Sequence, residues 1–312
     1  MGIREFTAPM RIVVLNLAAI FALNPPTQAQ VRGVYPTGMS ATNSGVTPEP
    51  GFTYVNLFLF YGRDTLRGTN GEVTATGGHS LLMDMNSFVW VSKPLRKLGG
   101  ALYSASATLP IANNSLTSDE FGAISGGGGF ADSYYQPLIL GWRKQRADIR
   151  AIYGFLAPTG KFAAGANNNV GSGYWTNVLA AGETAYLTKN KATAISAFEM
   201  YEFHTTQQGT QIHPGETFDL DYSLTQVIPL QKDLSLQLGL VGYGQYQTTD
   251  KTGPNITPAQ GTAYYKVNAL GFASNVNLPA RKVSTGFKFF KEFSDRSTFQ
   301  GYSAQISIAI SF

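Results

Sequence analysis

The chain closes on Tyr302-Ser-Ala-Gln-Ile-Ser-Ile-Ala-Ile-Ser-Phe312, eleven residues that alternate without a break. Strand side chains point to opposite faces with period two. Tyr302, Ala304, Ile306, Ile308, Ile310 and Phe312 therefore share one face, and Ser303, Gln305, Ser307, Ala309 and Ser311 the other. One face suits acyl chains and the other suits water. A soluble sheet has little use for an exposed aromatic carboxy-terminus, whereas bacterial outer-membrane barrels commonly end on one, as the handle that barrel-insertion machinery takes. The stretch predicts an all-β fold: a transmembrane antiparallel up-and-down barrel embedded in outer-membrane lipid.

The composition agrees. Only 13% of the 312 residues are charged, against roughly 25% in an average soluble domain, while Gly (34), Tyr (16) and Phe (20) are plentiful. Beyond the N-terminus no apolar run reaches the roughly 18 residues of a membrane helix, and a closed barrel is the other way to cross lipid with every backbone group paired. Residues 1–29 read as a secretory signal: Arg4 and Arg11, an apolar core from Ile12 to Leu23, and Thr27-Gln28-Ala29 at the cleavage position. Without Arg4, Arg11 and Glu5 the chain keeps 21 basic and 18 acidic residues, too slight an excess for a nucleic-acid partner. There is no cysteine, hence no disulfide, thiolate metal site or lipidated Cys. Residues 30–50, rich in Pro, Gly, Ser and Thr, form an irregular N-terminal segment, a disordered leader or a piece tucked into the barrel; the composition favours the leader.

From Gly51 to Phe312 about twelve segments have strand length: 52–61, 80–92, 98–110, 130–142, 147–157, 174–188, 191–204, 216–229, 233–247, 264–278, 282–293 and 301–312. An even count puts both termini in the periplasm. Short links (93–98, 143–147, 188–191, 229–233, 279–282) alternate with longer Gly- and Asn-rich ones (62–79, 111–129, 158–173, 205–215, 248–263), the pattern of periplasmic turns and outer loops. Phe218, Leu220, Tyr222 and Leu224 alternate with Asp219, Asp221, Ser223 and Thr225, which assigns the first set to lipid and the second to the lumen. Leu234 to Val241 and Asp148 to Phe155 repeat that logic.

Three stretches go further: Gly129-Phe-Ala-Asp-Ser-Tyr-Tyr-Gln-Pro-Leu-Ile-Leu-Gly-Trp142, then Phe155-Leu-Ala-Pro-Thr-Gly-Lys-Phe162 followed by Asn167-Asn-Asn-Val-Gly-Ser-Gly-Tyr-Trp-Thr176, then Gly239-Leu-Val-Gly-Tyr-Gly-Gln-Tyr-Gln247. In this order the chain resembles the outer-membrane family of phenol meta-pathway degradation proteins over most of residues 51–312. The resemblance implies a porin-like channel for small hydrophobic or aromatic, phenol-like compounds in a Gram-negative outer membrane. Physically the motifs need no chemistry, since Pro158 and Gly160 suit a turn.

About twelve strands enclose a narrow lumen. If Asn56, Asp84 and Asn86 face inward, strand parity brings Tyr54, Phe58, Phe60, Phe88 and Trp90 to the same side, a pathway on which an aromatic solute can stack; the alternative places these rings in interfacial girdles. Lumenal charges expected on the same grounds are Asp84, Glu183, Asp219, Asp221, Lys288 and Glu292. Pro137 sits mid-strand without an N–H, which predicts a bulge or kink, and a sharper reading is a gap for sideways exit. A lipid hydrolase is the weakest alternative, because His79, His204 and His213 have no Gly-x-Ser-x-Gly elbow beside them. A structural or adhesive barrel without transport is the other. Neither cofactor nor metal is implied.

Overall fold

Backbone groups in hydrocarbon have no water to bond, so a wall of strands must pair at every edge. The computed structural model describes residues 32–312; the predicted signal lies outside the described residues. Thirteen strands follow: β1 (Gly51–Arg67), β2 (Val73–Val91), β3 (Leu102–Ser118), β4 (Gly122–Phe130), β5 (Ser133–Arg143), β6 (Ala147–Ala157), β7 (Thr176–Tyr186), β8 (Thr193–His204), β9 (Thr217–Gln231), β10 (Leu234–Gln247), β11 (Lys266–Leu278), β12 (Val283–Glu292) and β13 (Thr298–Ser311). All pairings are antiparallel, and β1 joins β13 to close the ring. The first half of β3 pairs with β5 and its second half with β4. β4 and β5 therefore share one place in the wall, giving a closed barrel of twelve positions.

Two predicted long loops are strand. β1 and β2 continue to a turn at residues 68–72, and β3 and β4 to one at 119–121. Gly, Asn and Thr read as loop formers there, but ladder pairing outweighs a weak intrinsic preference. The alternation expected of β13 and β9 holds. Ile306 is 58% exposed beside Gln305 at 1%, and Asp219 and Asp221 are fully buried.

Pro137 makes a bulge. Tyr135 and Leu138 of β5 oppose Phe155 and Tyr153 of β6, three steps against two, and β3 shows the same slip between Ser104 and Ser106. The Tyr103 hydroxyl donates to the Pro137 carbonyl at 2.8 Å. Pairing resumes on both sides, so the wall is kinked and stays joined.

The N-terminal segment is not a disordered leader. From Arg32, beside Thr298 at the long-loop rim, it descends through the lumen to Glu49, which Arg143 holds at 2.7 Å at the short-turn rim, and there enters β1. β1 begins and β13 ends at that same rim, where the Phe312 N–H donates to Phe52 O at 2.8 Å. The described chain thus starts at the end of the barrel opposite to the rim where β1 begins and β13 ends. Composition misled because a lumenal segment, like a leader, needs no regular structure when wall side chains satisfy its backbone.

Candidate functional site: a plugged lumen and its cavity

Residues 32–50 form a plug whose backbone groups are answered by buried wall side chains. Glu202 accepts the N–H groups of Val34 and Tyr35 at 2.9 and 2.7 Å. Asp221 accepts the Tyr35 hydroxyl and the N–H of Gly38, both at 2.7 Å, and that of Ser40 at 3.0 Å. Lys288 donates to the carbonyls of Gly38 and Met39 at 2.9 and 2.6 Å. Lower down, Arg150 donates to Ser44 O at 2.7 Å, and Thr184 accepts the Gly45 N–H at 3.0 Å. The contact is backbone to backbone: a Cβ on Gly45 would lie 1.9 Å from Asp148 O, and one on Gly182 2.1 Å from Ser44 O. Tyr35 adds packing, its ring stacked on Phe198 at 5.5 Å.

The plug lies against the β6–β12 side and leaves a cavity of ≈ 310 Å³ against β1, β2 and β3. Leu59, Tyr61, Met83 and Met85 line it from the wall, Tyr35 and Met39 from the plug. With Met200, every methionine outside the predicted signal and its flank reaches this cavity. Thioethers fill irregular space and take ring edges well. At the long-loop end stand Arg63, His79 and Phe299. Here Arg32 is paired with Glu292 at 2.6 Å and lies 3.7 Å from Asp295. Burial, then the Glu292 carboxylate, push the loop carboxyl of Asp295 up to about 7, with Arg32 pulling the other way.

Residues 158–175 fold over this mouth, which gives the family-like motifs a structural role. Asp132, between β4 and β5, accepts the N–H of Gly160 at 2.9 Å and of Ser172 at 2.7 Å, and a Cβ on Gly160 would sit 2.8 Å from Gly171 Cα. The Asn114 amide donates to Asn169 O at 2.9 Å.

The predicted pathway residues divide. Asp219 and Asp221 face inward, Asp221 as a pin for the plug and Asp219 bonded to Gln245 at 2.7 Å, as do Lys288 and Glu292. Tyr54, Asn56, Phe58, Phe60, Asp84, Asn86, Phe88 and Trp90 face outward instead. Phe58, Phe88 and Trp90 are 40–49% exposed, while Leu57, Leu59 and Met85 between them are buried. Glu183 is also outside, opposite outward-facing Ile149. The premise that polar side chains mark the lumen fails on β1 and β2 because the lumen there is itself apolar. The displaced polar groups satisfy one another on the exterior: Asn56 donates to Asp84, and the Tyr54 hydroxyl to Asn86 at 2.5 Å. Phe52, Phe88 and Phe312 cluster at the short-turn rim, and Trp90 meets Tyr103 edge-on there, as interfacial girdles do.

His204 is bound in the wall. Its Nδ1 lies 2.8 Å from the Thr176 hydroxyl and its Nε2 3.2 Å from Glu202, so it braces a plug anchor, and among the described residues no serine is bonded to it.

The fold is similar to that of the COG4313 outer membrane channel of Pseudomonas putida F1, at 12% identity and a TM-score of 0.71 over 87% of this chain and 98% of that one. It is also similar to the β domain of the Bordetella autotransporter BrkA, at 10% identity and 0.51 over 85% and 100%. No curated protein matches the chain. Residues 63–308 match the family described as "Putative MetA-pathway of phenol degradation", and the chain belongs to that family.

Proposed function

We propose that this barrel is an outer-membrane channel through which small, phenol-like aromatic compounds pass by way of the β1–β2 cavity. The observation that carries the reading is the cavity's lining. A lumen that water alone fills is polar, whereas this one offers Leu59, Met83 and Met85 beside Tyr61 and Tyr35, in a volume at the lower end of small-molecule sites. Solute enters at the long-loop mouth under residues 158–175, and release on the far side requires the plug to shift. Nothing in the site supplies energy, so flow follows the concentration gradient.

The test is flux of phenol against glucose into liposomes holding the full barrel. Phenol enters and glucose does not. Met83→Trp fills the slot and lowers phenol entry by about tenfold or more, since an apolar site tolerates little added volume. Equal entry of both solutes, or no effect of the substitution, rejects the pathway.

Export and assembly belong to the same reading. Residues 1–29 act as the cleaved secretory signal, the short-turn rim lies in the periplasm, and the insertion machinery takes the last strand by Phe312, which is 69% exposed beside Phe52. Removing Phe312 lowers the yield of heat-modifiable barrel in the outer membrane while leaving the fold of inserted molecules unchanged. Undiminished yield refutes the role given to that residue.

A further inference from the structure

The long-loop end of the cavity holds a cation with no hydrogen-bond acceptor. Arg63 is 8% exposed and lines the cavity, yet among the described residues its guanidinium makes no hydrogen bond. Its Nε is buried without a partner. Its ion-pair contact is with Glu292 Oε2 at 3.7 Å, beyond hydrogen-bond reach, and the Tyr61 ring lies 4.3 Å from its central carbon. Glu292 is already taken, by Arg32 at 2.6 and 3.2 Å and by the Gly301 N–H at 2.8 Å. Across the ladder Arg63 faces His79, whose Nδ1 is also buried without a partner and whose ring rests on Phe299 at 4.9 Å.

A guanidinium with a buried, unpartnered Nε and no hydrogen-bonded acceptor at its terminal nitrogens, which line the cavity, calls for something to complete it. Directly beyond it lie Leu59, Tyr61, Met83 and Met85. A planar, charged fork set over an apolar slot suits a two-part ligand, with a carboxylate for the fork and a flat ring for the slot. We propose that the cavity binds small aromatic monocarboxylates, the carboxylate on Arg63 with His79 beside it and the ring between Tyr61 and Met83. The proposal rests on the channel reading and narrows its solute. A neutral phenol would leave the guanidinium uncompensated. A dianion would meet Glu292 and Asp295, which flank the same mouth, so a single negative charge fits the balance. The carboxylate adds two acceptors where the described protein supplies none.

The experiment titrates the detergent-solubilised full barrel with benzoate, benzamide and phenol by calorimetry at neutral pH, beside liposome entry of the same three solutes. Benzoate binds at least about tenfold more tightly than isosteric benzamide, the margin expected of a charge-assisted pair. Arg63→Gln abolishes that margin, whereas Arg63→Lys keeps part of it. Should Arg63→Gln fail to give a heat-modifiable barrel, His79→Phe serves, since it removes the second donor and keeps the ring on Phe299, and it narrows the margin. Equal binding of benzoate and benzamide, or a margin indifferent to both substitutions, overturns the assignment. If phenol enters while benzoate shows no preference, only this inference falls. If benzoate binds and no aromatic enters, the site stands and the channel reading falls.

Discussion

Deleting residues 32–50 is expected to turn a closed barrel into an open one. Those residues run the length of the lumen from the Arg32–Glu292 pair to the Arg143–Glu49 pair, and the ring of strands closes without them. Barrel width is set by strand number, and twelve strands leave a bore narrow enough for one extra segment to obstruct. In planar bilayers the intact protein should show little conductance, and the deleted form steady channels larger by about an order of magnitude or more. The charge left behind fixes their selectivity. Asp148, Glu202, Asp219, Asp221 and Glu292 remain on the inner wall or at its edge against Arg63, Arg150 and Lys288, so the opened bore prefers cations, and the preference fades as salt screens it. Deletion hydrates these groups and does not strand them in a dry interior, so the barrel should still assemble. Matching conductance in the two forms would mean that the plug does not block the lumen.

The parts of this architecture legible in the sequence are those where one face meets lipid and the other meets water. β13, β9, β10 and β6 have that contrast, and period two alone assigned Phe218 and Leu220 to the exterior and Asp219 and Asp221 to the interior. β1 and β2 lack it. With Leu57, Leu59, Met83 and Met85 inside and Phe58 and Phe88 outside, both faces are apolar, and the few polar residues, Asn56, Asp84 and Asn86, pointed the wrong way because they bond to one another on the exterior. A usable signal was present. All four methionines beyond the first ten residues fall on the cavity, and odd-numbered Met83 and Met85 share parity with His79 and Leu81. Pro137 was readable because a missing N–H in a closed ladder has few outcomes, and the bulge is one of them. The plug was not, since its register depends on side chains 150 or more residues away, such as Glu202 and Asp221, and on glycines whose value appears only when two backbones touch.

Asp221→Ala should open the channel without removing any of the plug. Its carboxylate accepts three donors from the segment: the Tyr35 hydroxyl and the N–H groups of Gly38 and Ser40. Gly38 has φ +82°, and a Cβ there would lie 2.6 Å from Phe290 Cζ, so this turn has little room to find other acceptors. The Ser40 N–H keeps the Tyr35 hydroxyl oxygen at 3.0 Å, but orphaning the other two donors costs each about 1–3 kcal/mol, and a total of about 4 kcal/mol moves the closed-to-open equilibrium by roughly a thousandfold. Single-channel records of the variant should therefore show openings that reach the level of the plug-deleted barrel and then close again. Asp221→Asn should be milder. Its amide oxygen can still accept from Gly38, the Tyr35 hydroxyl can turn to accept from its NH₂, and the Ser40 N–H keeps the Tyr35 oxygen at 3.0 Å. A steric variant checks that the openings come from plug release and not from altered charge. Gly45→Ala forces a Cβ to within 1.9 Å of Asp148 O, where backbone must give way, and it should produce the same open level while every lumenal carboxylate stays in place. If Asp221→Ala stays silent while Gly45→Ala opens, the wall holds the plug by close packing alone and the carboxylate pins contribute nothing to gating; if both stay silent, the segment is not the gate.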